Sequence, residues 1–175
     1  DEAFDGLAIA TANAEQNLRN ARALFARHLQ SVFTQRGKGW VEKMLGEIGK
    51  VSMCKRIFKE ETTATEGVPF YKIGTFGKEP DSFIPTRTYN EYRQKYPFPK
   101  KGDVLISASG TIGRRVRYDG EPGYFQDSNI VWIANAAKPV VNAYLYHFYA
   151  AIECHSKNGY HLTRLSNDTL RRIVI

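Results

Sequence analysis

The sequence predicts an α/β (α+β) fold: a long coiled-coil-type helix followed by a globular domain of short strands, turns and one further helix. Three observations carry this expectation. From Phe4 to Thr34 there is no Pro and only Gly6, while Ala, Leu, Arg, Gln and Glu dominate, which is strong helix composition. After Trp40 the chain changes to short β-branched or aromatic runs bounded by Gly, Pro, Asp and Asn. The charge divides at the same place. Residues 1–36 hold four acids and four bases, which cancel, so the whole net charge of +7 falls in residues 37–175. A basic globular part is suited to a polyanion.

Within the helix, Phe4, Thr11, Leu18, Phe25 and Val32 recur at sevenfold spacing, and Leu7, Ala14, Ala21 and His28 fill the position three later. That is a coiled-coil seam, with Leu18, Phe25 and Val32 as the expected helix interface. A single amphipathic helix lying on its own domain is the plainer alternative. Gly37 and Gly39 end the helix and start a linker. Val41 to Ile48 reads as a short helix or lead-in closed by Gly49. Strands are expected at Phe70 to Ile73, Val104 to Ser107, Arg115 to Tyr118, Ile130 to Ile133 and Ile173 to Ile175. Lys138-Pro139 opens a helix whose Val141, Tyr144, Leu145, Phe148 and Ile152 form a core-facing stripe.

The longest mostly apolar stretch, Val140 to Ile152, is far shorter than the roughly 20 residues of a bilayer span, so no membrane partner is expected. Asp1 opens an acidic, polar stretch with no secretory character, and Cys54 and Cys154 make no disulfide framework. A reducing, cytoplasmic setting is the expectation.

The search for catalysis is negative. Ser107 and Ser109 lack the Gly two positions earlier that a nucleophile elbow needs. No phosphate-binding GxxxxGK[ST] loop surrounds Gly110 and Gly113. His28, His147, His155 and His161 match no zinc spacing. No acid precedes a Lys by two positions, as metal-dependent nucleases commonly require, and no methyl-donor motif is present. No catalytic residue, metal ligand or cofactor site is expected in this chain.

The run from Lys101 to Gly113, KGDVLISASGTIG, is more specific than any of these motifs. It resembles the signature of the target recognition domain in specificity subunits of type I restriction-modification enzymes. Tyr124 to Trp132 looks like that family's following strand, and Gly159 to Ser166 resembles the block before its closing strand. Leu29 to Thr34, Gly39-Trp40 and Leu45 to Ile48 resemble the exit of its spacer helix into a recognition domain. The resemblance implies the C-terminal part of a spacer helix over 1–36 and a mixed-sheet target recognition domain over 37–175. It further implies recognition of one half-site of double-stranded DNA, an antiparallel partner helix, and docking to methyltransferase and restriction subunits. S-adenosylmethionine, ATP and magnesium would then sit on the partners.

Residues suited to the DNA come from four segments. Ser109, Thr111 and Arg114 lie in or beside the signature, where Gly110 and Gly113 either build the fold or set these side chains at an edge. Gly74 to Tyr96 reads as a polar and aromatic insert for a groove, with Lys78, Arg87, Tyr89 and Arg93. Arg115 and Arg117 share one face of the next strand, opposite Arg114. His155 to Arg164 supplies Lys157, Tyr160, His161 and Arg164. Hydroxyls serve phosphates or base edges, and Arg can grip guanine with two bonds. Arg87, Tyr89, Arg93, Arg115, Tyr160 and Arg164 are expected on one surface. The competing class is a coiled-coil assembly module whose basic domain docks an acidic protein; a weaker rival is the recognition part of a fused restriction-methylation enzyme.

Overall fold

The computed structural model describes residues 2–35, 37–110, 112–135, 140–156 and 164–175, with side chains outside the description at 2 and 151–156. Residues 1–40 and 41–175 form two compact units. The first contains helix α1, Glu2–Thr34, unbroken over 33 residues. Its apolar side chains lie open: Phe4, Leu7, Leu18 and Phe25 are all more than half exposed.

In the second unit, helix α2 (Leu45–Ile48) leads into β1 (Lys50–Ser52). β2 (Val68–Tyr71) and β3 (Phe83–Ile84) precede helix α3 (Thr86–Lys95). β4 (Val104–Ser107), β5 (Arg115–Arg117), β6 (Tyr124–Phe125) and β7 (Ile130–Ala134) follow. Helices α4 (Asn142–Ser156) and α5 (Asn167–Arg172) come last. An antiparallel sheet takes the order β1-β7-β4-β5, and a second sheet takes β3-β2-β6, in which β2 pairs antiparallel with β3 and parallel with β6.

The larger sheet is covered on both faces, which explains the near-continuous apolar runs of its central strands. Side chains alternate across a strand. Val104 and Ile106 of β4 and Val131 and Ile133 of β7 therefore enter one core with Leu45, Leu145, Tyr149 and Leu170 from the helices. Leu105, Ile130 and Trp132 enter the other, with Phe70, Tyr124, Phe125 and Tyr89. At the seam of the domain, the Lys43 and Ile175 backbones exchange hydrogen bonds of 3.2 and 2.9 Å, and Leu45 N–H donates to the Ile173 carbonyl at 2.9 Å.

Several expectations shift. The strand expected at 70–73 lies two residues earlier, at 68–71: Pro69, which lacks an N–H and reads as a strand breaker, hid the pairing of Val68 and Pro69 with β3. Residues 173–175 form a single bridge, Val174 to Met44, in place of a strand. The insert 74–96 is not an open loop: its second half is α3, anchored by Tyr89. In α4 the buried line is Leu145 and Tyr149, with Val141 exposed and Tyr144 stacked half-buried on Phe148. Leu145 and Phe148 of the expected stripe meet the core, Val141 does not, and Tyr149 joins it unannounced because its hydroxyl disguises a core side chain; the Ile152 side chain lies outside the description. Lys138-Pro139 lies outside the described residues.

Candidate nucleic-acid interface

The signature run folds as β4 and the turn after it. Asp103 accepts the Lys100 backbone N–H at 2.8 Å, and Gly102, Gly110 and Gly113 all take positive φ, the region only glycine enters freely. The Ala108 N–H donates to the Asn129 carbonyl and the Leu165 N–H to the Ala108 carbonyl, both at 2.7 Å. The Ser109 hydroxyl donates to Asn129 Oδ1 at 2.8 Å, and Ser109 bridges Arg164. Leu165 is buried and Ser166 caps α5 by accepting the Thr169 N–H at 3.0 Å. Much of the hydrogen bonding of these blocks therefore holds three segments together.

Their common anchor is the turn Gln126–Asn129. Ser128 is in the left-handed region at φ 60°, the one non-glycine residue there among the described residues. Gln126 Oε1 accepts the Ile73 N–H at 3.0 Å, and the Ser128 carbonyl accepts from Arg164 at 3.4 Å. Asp127 Oδ2 accepts from Arg56 Nε and Nη2, each at 2.9 Å. This contact raises the Arg56 pKa further, through the hydrogen bond first and the charge second. Arg56 was absent from the sequence candidates, since nothing local marks it: its partner is 71 positions away.

The remaining cations fall in separate places. Arg115 and Arg117 both stand over the Tyr146 ring of α4, at 4.7 and 5.5 Å from its centroid, while Arg114 donates to the Phe76 carbonyl at 3.2 Å. The alternation expected along β5 is present, but its shared face is occupied by α4. Lys78 and Arg117 line a cleft of about 230 Å³ with Tyr71, Phe76, Asp119 and Glu121, so two acids offset the two bases. Arg87 and Arg93 are exposed on α3, with Arg93 over the rings of Tyr89 and Phe98. Tyr89 itself is 3% exposed and is corrected from a DNA contact to a core residue. Its polar neighbours in sequence hid the apolar contact that its ring makes with Phe98. The expected single surface also fails for Arg93 and Arg115, which pack on opposite faces of the larger sheet. Thr111, Lys157, Tyr160 and His161 lie outside the described residues. No group of His, Cys, Asp and Glu suited to a metal occurs among the described residues, and no described helix is long and apolar enough to cross a membrane.

Residues 37–175 match the family model described as the type I restriction modification DNA specificity domain. The chain belongs to this family. It is 56% identical over 131 residues to a protein of Haemophilus influenzae assigned as a type I restriction enzyme specificity subunit, covering 75% of this chain and 34% of the relative. The chain thus spans about a third of that curated relative. Among solved structures, a chain from a type I R-M system studied for complex assembly and conformational transition superposes with a TM-score of 0.60 at 15% identity, covering 95% of this chain and 44% of that one. The HsdS subunit of Thermoanaerobacter tengcongensis gives 0.59 at 15% identity over 95% of this chain and 43% of its own. The S subunit of M. genitalium gives 0.56 at 19%, over 86% and 37%. These specificity-family structures share the fold, a long helix and mixed antiparallel sheets.

Proposed function

We propose that this specificity-family chain reads one half-site of double-stranded DNA for a type I restriction-modification enzyme and performs no chemistry itself. The supporting observation is the turn Gln126–Asn129, which binds the signature, the Arg164 segment and Arg56 into one rigid piece carrying exposed guanidinium groups. Exposed cations held in place by hydrogen bonds to one turn suit the reading of a duplex. Residues 1–36 act as part of a spacer helix, and 37–175 as the target recognition domain. The Leu18, Phe25 and Val32 seam receives an antiparallel helix, and methyltransferase and restriction subunits assemble around it in the cytoplasm. S-adenosylmethionine, ATP and magnesium belong to those subunits.

The test is binding of a duplex by the assembled methyltransferase across a salt series. Phosphate contacts make log K fall linearly with log salt, with a slope near −0.9 per neutralised phosphate. Selective, salt-dependent binding of one duplex sequence supports the reading. Binding of an acidic polypeptide in preference to any duplex overturns it in favour of the assembly-module alternative.

A further inference from the structure

We propose that Arg56 reads a guanine in the half-site and that Asp127 is the positioning residue that aims it, an inference that rests on the DNA-reading function above. Neither residue belongs to the cation segments that the sequence singles out.

The argument begins with the geometry of the pair. A guanidinium carries five N–H donors in a rigid plane. Asp127 Oδ2 takes Nε and Nη2 at 2.9 Å each, which occupies the side edge of the plane. The end edge, formed by Nη1 and the outer hydrogen of Nη2, carries the paired donors that match O6 and N7 of guanine. The exposures agree: the Arg56 side chain is 59% exposed, whereas the Asp127 side chain that grips it is 14% exposed. The carboxylate is part of the wall and the guanidinium projects from it.

Both partners stand on fixed backbone. Cys54 and Ile57, on either side of Arg56, are buried, and the Tyr124 hydroxyl donates to the Lys55 carbonyl at 2.9 Å. The Phe58 N–H is held by the Glu61 carboxylate at 2.8 Å. Asp127 also accepts the Ser128 hydroxyl at 3.2 Å. Arg164 reaches the carbonyl of Ser128, the adjoining residue, so two exposed arginines converge on neighbouring positions of one turn. Lys55 and Lys59 are exposed on the same segment, beside the acid Glu60.

Phosphate neutralisation needs charge without direction, and flexible lysines supply it. An exposed arginine held by a mostly buried carboxylate presents its remaining donor edge in one direction; that fork fits a phosphate as well as a base, but only a base edge, with its acceptors at one fixed place in the groove, turns the fixed aim into sequence choice.

The experiment uses the assembled methyltransferase with its specificity subunit at full length. Methylation of a randomised duplex pool by the wild type defines its target. Binding is then measured on a fluorescent duplex carrying that target and on every single base-pair substitution of the half-site. Arg56→Ala and Arg56→Lys are expected to lower affinity for the target roughly 5- to 150-fold and to abolish the preference at one G·C pair only. Asp127→Ala broadens preference at that same pair, and the double variant is no worse than Arg56→Ala, because the two act as one unit. Equal weakening on all duplexes with a shallower salt slope makes Arg56 a phosphate contact and overturns the inference, as does an unchanged preference profile. An Asp127→Ala variant that loses thermal stability but keeps the profile overturns its positioning role. A wild-type complex that selects no target defeats the DNA-reading function itself.

Discussion

The Ser109 hydroxyl donates to the Asn129 side-chain carbonyl at 2.8 Å, joining the signature turn to the turn before β7. A hydroxyl from the stretch that most marks the family is thereby engaged inside the protein. Ser109→Ala is expected to cost about 0.5–1.5 kcal/mol in chemical unfolding, the usual net worth of such a bond. Preference among duplexes should persist in the assembled enzyme. Unchanged stability together with a lost preference would make Ser109 a base contact.

The exposed seam of α1 makes a second expectation. Changing Leu18, Phe25 and Val32 to Asp places charge along the seam proposed to receive another helix. Helix pairing in the full-length subunit should disappear by analytical ultracentrifugation, while the thermal transition of residues 41–175 persists. Loss of that transition would mean that the helix supports its own domain.

Tyr149 provides a third. Its ring is fully buried in the helix-side core, and its hydroxyl has no hydrogen-bond partner among the described residues. A buried unsatisfied hydroxyl costs about 1–3 kcal/mol. Tyr149→Phe should therefore raise the thermal midpoint; a fall would reveal a partner for the hydroxyl.

Alkaline pH supplies a fourth. Burial pushes the Cys54 thiol from 9.0 up to about 12, and desolvation raises Tyr118, Tyr124 and Tyr149. These groups are neutral when protonated, and their folded values exceed their unfolded ones. Their contribution to stability is complete below the unfolded values and is lost as pH rises towards the folded values. Stability should begin to fall near pH 9, from Cys54, and steepen above about pH 10 as the tyrosines join. Urea unfolding from pH 7 to 11 measures this, and Cys54→Ala should remove the first part of the decline. In a Cys154→Ser background, the native protein should resist iodoacetamide at pH 8. Rapid alkylation would contradict the burial of Cys54.

The parts legible in sequence are those whose cause is local. The 4–34 helix follows from composition, and β4 follows within its own boundaries because each of its side chains is buried. Helix α3 was hidden because its mean hydropathy is low and only Tyr89 is fully buried, with Tyr92 packed beside the core; it therefore read as a loop. Ser109 and Arg164 were both candidates, yet only tertiary folding makes them neighbours. The pairing of Arg56 with Asp127 was invisible for the same reason, since an arginine beside a lysine reads as ordinary solvated charge until the distant carboxylate is in place. Arg115 and Arg117 showed their alternation but not the tyrosine waiting over them.

The paired backbones of Lys43 and Ile175 hold two positions 132 residues apart in the chain side by side. A polypeptide path that returns to its origin isolates what lies within it from what lies outside. The loops between Lys43 and Ile175 can lengthen, shorten or exchange side chains without altering the distance between these two positions. The chemistry of the loops and the spacing of these two backbone positions are thus independent variables, free to change one at a time.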